Sequence, residues 1–389
     1  MATVDDVRDR SRSTGLEVIE AGTPRQTSPS LRSRHRGRLP VMALGGLALV
    51  GALGGGLVRL GWTLPAPASL VAFHGPLMVA GFLGTVIGLE RAVALGRLWA
   101  YAAPLASGLG GLALMVGAPG GAWLMLLGSV VMVFVFVEIL RRQAALFTVI
   151  MALGAVSWSI GQVLWLAGEP LHRVVFWWAG FLVLTIAGER LELTRLLRLG
   201  TPTRVAFVLV VIVLLVGLAS TPFALGAGAR VIGVALIALA LWLGLFDIAR
   251  RTVRTSGLPR FIAVALLSGY AWLGVAGLLA VRWGGGAAGP RYDAMLHAVF
   301  VGFVFSMIFG HAPIIVPAVL GRGVTYRPRF YVHLGLLHAS LVLRIFGDLA
   351  PWLPGRQWGG LMNALAIVLF FANTATAGAR LYESPEEAP

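Results

Sequence analysis

Twelve stretches of this chain are long and apolar enough to cross a bilayer, and they leave little sequence for anything else. They run roughly over 40–60, 68–90, 98–117, 121–140, 144–167, 171–189, 203–220, 227–248, 260–282, 292–319, 330–349 and 359–379. A spanning helix needs about 20 mostly apolar residues. Inside a bilayer there is no water to bond the backbone, so an all-helical solution satisfies every segment internally. The connections are short, so the chain reads as an all-α polytopic membrane protein with one twelve-helix membrane domain over 40–382. Residues 1–39 are polar, rich in Ser and Arg, and lack an apolar signal core; they read as a disordered cytoplasmic tail, and 383–389 as a cytoplasmic C-terminal tail.

The charge is unusual in kind. All 31 basic residues are Arg, and the formal net charge is +15. Only 12% of residues are charged, so this balance marks membrane orientation rather than nucleic-acid binding. With residues 1–39 inside, the inner connections and tails hold 24 of the 31 Arg. The reading is an inner (cell) membrane protein with both termini cytoplasmic, the lipid bilayer as its first partner and no nucleic acid. The chain has no Cys, which excludes disulfides, thiolate metal sites and covalent c-type heme attachment. It has no Lys, which excludes Schiff-base chemistry.

Three segments share a pattern. Segment two carries GFLGTVIGLER (81–91), segment six GFLVLTIAGER (180–190) and segment ten GFVFSMIFGHA (302–312). In each, Gly-Phe is followed nine residues on by a polar residue: Glu90, Glu189 and His311. These are the second members of successive four-helix groups, which suggests a threefold internal repeat.

Polar groups at membrane depth are costly and default to a functional reading. His74 lies about six residues into segment two and His297 about five into segment ten, both roughly 8–9 Å below the outer edge at 1.5 Å per residue. Arg344 reaches the same level on segment eleven. Two imidazoles and a guanidinium at one depth suit a heme, with two axial ligands and a cation for a propionate. His311 is fourteen residues deeper, roughly 21 Å toward the inner surface. There it joins Glu90, Glu189, His333 and His338 in a second polar level, where His311 with His338 or His333 is a metal candidate.

Plainer explanations apply to each. A single intramembrane His can simply bond a neighbouring carbonyl. Glu90 with Arg91 and Glu189 with Arg190 can pair at the interface, and Arg344 and Asp348 stand i,i+4 on one helix. Trp158, Trp165, Trp177 and Trp178 fit an aromatic belt. Ala80, Gly81, Gly84, Gly88, Gly302 and Gly310 fit close helix packing or room for a flat macrocycle.

With those residues in view, the chain resembles the heme–copper oxidase catalytic subunit: twelve helices in three groups of four, with a His near the outer end of helix two and another in helix ten. HAVFVGFVFSMIFGHAPIIVPAVLGRGVTYRPRFYVHLG (297–335) resembles the corresponding region of its nitric-oxide-reductase-like members. HGPLMVAGFLGTVIGLERAVALGR (74–97), with His297 and Arg344, resembles NnrS, a twelve-helix family linked to heme, copper and nitric-oxide stress. The resemblance implies heme b on His74 and His297, with Arg344 on a propionate. It also implies copper as a second metal, a small gas ligand or electron donor as partner, and a role in nitric-oxide or redox stress. The sequence departs from the oxidases where their copper ligands stand. Segment six has only His172, at its outer end, and segment seven has no His, so oxygen reduction at a heme–copper centre is not expected. The alternative is a secondary transporter that uses Glu90, Glu189 and His311 for proton coupling; a third is a cofactor-free assembly factor.

Overall fold

The computed structural model describes residues 37–321 and 323–378. Both expected tails, apart from residues 37–39, lie outside the described residues. Among these, twelve helices are long and apolar enough to cross a membrane. They are α1 (Leu39–Arg59), α2 (His74–Leu95), α3 (Leu98–Met115), α4 (Gly121–Arg142), α5 (Leu146–Leu166) and α6 (Leu171–Leu193). There follow α7 (Thr201–Ser220), α8 (Leu225–Phe246), α9 (Gly257–Trp283), α10 (Pro290–Leu320), α11 (Phe330–Leu349) and α12 (Leu353–Ala377). The protein is an all-α multi-pass membrane protein. Prolines sit in the first turn of α1, α7 and α10, where the missing N–H costs nothing. Gly96 and Gly321, with φ of 69° and 66°, end α2 and α10 in the left-handed conformation that glycine takes without strain.

Three boundaries differ from the sequence reading by five or more residues, one of them the end of segment two, which continues past residue 90 to Leu95. Segment two does not run unbroken from residue 68: a short helix, Ala68–Ala72, stops at Phe73, and α2 restarts at His74. Segment twelve begins at Leu353, six residues earlier than the hydropathy pattern suggests, because polar Arg356 and Gln357 are helical.

Helices α2, α6 and α10 form the centre of the bundle. Their core stretches are 67%, 78% and 67% buried, whereas no other span exceeds 50%. These are the three segments that share the Gly-Phe pattern, and each glycine is a point of close approach. A Cβ on Gly81 would lie 3.0 Å from Ala48 Cβ, on Gly180 2.6 Å from Leu218 Cδ1, and on Gly302 2.5 Å from Trp272 Cγ. The following Phe82, Phe181 and Phe303 are all buried. With little hydrophobic drive between helices in lipid, such small-residue contacts carry the packing.

α2 and α10 share a second feature. Each changes from α- to π-helix just after its histidine, over Leu77–Gly84 and Ala298–Val304. π-helical turns are rare and concentrate at functional sites. An aromatic layer begins within them and continues inward: Phe82, in the π-helical turn of α2, stacks with Phe305, and Phe309 with Phe370 at 4.3 Å.

The tryptophans correct the sequence reading. Trp158 and Trp178 are 0% and 1% exposed, so they belong to the protein core rather than to an interfacial belt. Trp158 stacks on Phe181 at 4.8 Å and lies over Gly84, where a Cβ would collide with its indole.

Candidate functional site

The chain opens a cavity of about 330 Å³ at the end of the bundle opposite the arginine-rich connections, between α1, α2, α6, α10, α11 and α12. That volume lies within the range of ~300–1,000 Å³ found for ligand sites. His74, His297 and Arg344 all line it, as the depth argument expects. Its walls are largely apolar, including Met78, Trp178, Phe300 and Phe305. Arg59 and Arg356 join Arg344 on its lining, giving three cations where the sequence singled out one.

The triple glycine of α1 explains how His74 enters. A Cβ on Gly55 would sit 2.1 Å from Leu70 O, and one on Gly56 2.8 Å from His74 Cε1. Only glycines let the 68–74 segment lie this close to α1. The imidazole then bonds Ala52 O through Nδ1 at 2.6 Å. His297 makes the matching bond from Nδ1 to Asp293 O at 2.8 Å. A carbonyl oxygen only accepts, so in both rings Nδ1 carries the proton and Nε2 keeps its lone pair. Among the described residues neither Nε2 has a hydrogen-bond partner.

The two rings stand 6.5 Å apart, centroid to centroid, with planes 17° apart. That lies toward the wide end of the ~4.5–7 Å range of aromatic pairs. One metal ion bound by both Nε2 atoms needs about 6 Å, from two metal–nitrogen bonds of ~2 Å and ~1 Å from each Nε2 to its ring centre. The donor chemistry and the centroid spacing match a bis-imidazole metal centre in which both Nε2 atoms turn toward one ion, and the apolar walls with a cationic rim match a porphyrin with propionates.

Asp293 is the residue that sequence reasoning missed. Its carboxylate lies 3.4 Å from His297 Nδ1 and accepts from Arg344 Nη2 at 2.8 Å, with Arg356 Nη2 at 3.7 Å. Arg344 is therefore paired with Asp293, not with Asp348 on its own helix. Asp348 instead lies 2.8 Å from Arg356 Nε. Gly359 holds α12 against the Arg344 backbone, where a Cβ would be 2.5 Å from Arg344 N. The signal for Asp293 was present in the sequence: it stands four residues before His297, on the same helix face.

The second polar level forms, with different pairings. Arg91 pairs with Glu189, joining α2 to α6, and lies 3.5 Å from Glu90. Arg190 makes two bonds to Asp247, at 2.8 and 2.9 Å, with both residues almost fully buried. A third Arg190 nitrogen donates to His311 Nε2 at 3.0 Å, while His311 Nδ1 donates to Met307 O. The lone pair of His311 is thus already used. His338 is committed as well, since its Nδ1 accepts from Trp272 at 3.0 Å. His333 is enclosed by Phe261, Phe309, Phe330 and Phe370, with Asn373 on its Nδ1. These three histidines occupy separate surroundings, and no group of three metal-ligating side chains occurs among the described residues.

A family model described as a domain of unknown function (DUF8744) matches residues 38–379, almost the whole described chain. The chain belongs to the DUF8744 family. A comparison with curated proteins finds no match. The family match starts at the first turn of α1 and ends just past α12, so the DUF8744 unit is the complete twelve-helix bundle, cavity and charged cluster included.

Proposed function

We propose that this DUF8744 protein binds heme b between His74 and His297 and handles a small gas ligand or an electron at that site in the inner membrane, with both termini cytoplasmic. The observation that carries the reading is the imidazole pair: two Nδ1-protonated rings, their Nε2 lone pairs free, spaced as two ligands of one metal ion. Heme, when bound, supplies an iron that changes redox state or takes a gas ligand. The chain's own residues do the rest. Ala52 O and Asp293 fix the tautomers and ring planes, as partners of metal-ligating imidazoles generally do. Arg59, which pairs with no carboxylate among the described residues, stands ready for a propionate, while Arg344 holds Asp293 and Arg356 lies against Asp348. The link to nitric-oxide or redox stress rests on the NnrS resemblance of residues 74–97 with His297 and Arg344. Copper finds no support in the donor set: the lone pairs of His311 and His338 are taken.

The test is a redox-difference spectrum of protein purified after expression with ample heme. The expected result is a red protein with a six-coordinate, low-spin reduced spectrum. His74→Ala or His297→Ala should abolish it or convert it to high spin. A colourless wild type, or wild-type spectra in both variants, would overturn the reading.

A further inference from the structure

A second cavity, of about 380 Å³, opens at the arginine-rich end of the bundle, where the chain passes from α6 toward α7 and from α8 toward α9. One side is cationic: Arg250 and Arg251 on the short helix Ala249–Thr252, and Arg254 just after it. The other side is apolar, with Leu197, Leu199, Leu245 and Phe246. Among the described residues none of the three arginines pairs with a carboxylate; the one side-chain bond they make is from Arg250 Nη1 to Leu245 O, at 3.2 Å.

The cavity also contains one carboxylate, Asp247, which would oppose an anion if it were free. It is not. Its two oxygens take both bonds from Arg190, and Oδ1 also accepts the Ala249 N–H at 2.7 Å. With that charge compensated, the three arginines set the field of the cavity.

We propose that this cavity is a binding site for an acidic phospholipid, its phosphate held by Arg250, Arg251 and Arg254 and its acyl chains lying along Leu245 and Phe246. Basic pockets between helices at a cytoplasmic membrane face commonly take such headgroups. The apolar half separates a lipid from free phosphate: Leu245 is 53% exposed on the outside of the bundle, where acyl chains run. Arginines that serve only to orient the chain need no shared cavity and no apolar wall. The site also has a route inward. Asp247 forms its floor and anchors Arg190, which holds His311 on the central helix α10, so a bound lipid would brace the α6–α10 contact.

The experiment is native mass spectrometry of the full chain in detergent, with phosphatidylglycerol, phosphatidylcholine or inorganic phosphate added separately. One phosphatidylglycerol should be retained over phosphatidylcholine by on the order of tenfold or more, as three arginines near a lipid surface predict. The Arg250→Gln/Arg251→Gln/Arg254→Gln protein should lose this preference. An Arg97→Gln/Arg141→Gln/Arg142→Gln protein, which removes the same charge at the same end of the bundle, should keep it. Leu245→Glu leaves the arginines intact and puts a repelling charge at the cavity wall, so it should also lose the preference. Equal retention of the two lipids, or equal loss in both arginine triples, overturns the proposal. So does displacement of phosphatidylglycerol by equimolar inorganic phosphate, which would make this a free-phosphate site.

Discussion

Asp293 connects two groups that would otherwise be separate problems, the orientation of His297 and the burial of Arg344. Asp293→Asn keeps its shape and removes the charge. Its partner Arg344 is then left buried without a counter-ion, and His297 loses the carboxylate beside Nδ1. Outer-shell partners of metal ligands are typically worth 10–100-fold in affinity. On the proposed heme reading, the expected outcome is a heme-to-protein ratio that falls at limiting heme, by about that factor in affinity, with the six-coordinate spectrum kept. An unchanged heme titration would remove Asp293 from the site. At this scale the sequence was informative about residue type and depth, because an imidazole in an apolar run is conspicuous wherever it falls. Partners were harder to see. That Arg344 chooses Asp293 over Asp348, or that Arg91 crosses to Glu189, depends on which helices are neighbours, and hydropathy is silent about that. Lone-pair occupancy was equally hidden. His311 looks as good a ligand as His297 until Arg190 is found on its Nε2.

The element scale is governed by glycines that neighbouring helices press against. Gly302 is a clear case on a central helix, since a Cβ there meets the fixed stem of Trp272 rather than a mobile side-chain end. Gly302→Ala should cost about 1–3 kcal/mol, the usual penalty of overpacking. Gly335→Ala on α11, where a Cβ would meet nothing, should be neutral or slightly stabilising. Thermal unfolding in detergent compares them, and equal midpoints would refute the close-approach role. The charged cluster makes a second prediction. Arg190→Gln strands Asp247 in the interior, and breaking a buried pair by removing one partner costs roughly 3–5 kcal/mol. Arg190→Gln/Asp247→Asn should recover part of that loss; a double variant no more stable than Arg190→Gln would show that the pair is not the source. The repeated Gly-Phe was legible as a pattern and turns out to mark the three central helices. The π-helical turns after His74 and His297 had no readable signal in the sequence.

At the scale of the whole molecule, an even number of spans predicts that both ends of the described chain share one side, and the arginine distribution predicts that this side is the cytoplasmic one. The helix count, and all but three of the boundaries to within four residues, were legible because an apolar run of about 20 residues has few alternatives in a bilayer. The order of the helices around the centre was not, since lipid-facing and protein-facing apolar surfaces read alike in sequence. Orientation follows a different physical cause, the retention of basic connections on the cytoplasmic side during insertion. Arg97, Arg141, Arg142, Arg195, Arg198, Arg250, Arg251 and Arg254 all lie at one end of the bundle, whereas the other end carries the cavity with His74 and His297. Reporter domains fused at Gly96, Gly200 and Ser256 should therefore score cytoplasmic, and at Leu64, Ala118 and Ala287 external. The histidine cavity would then open toward the outer leaflet and the arginine cavity toward the inner one. A gas ligand or electron donor would arrive from outside, and the acidic lipid would sit at the inner surface. Reversal at two or more fusion points would exchange the two sides, leaving the ligand chemistry of His74 and His297 intact but moving its partners into the cytoplasm.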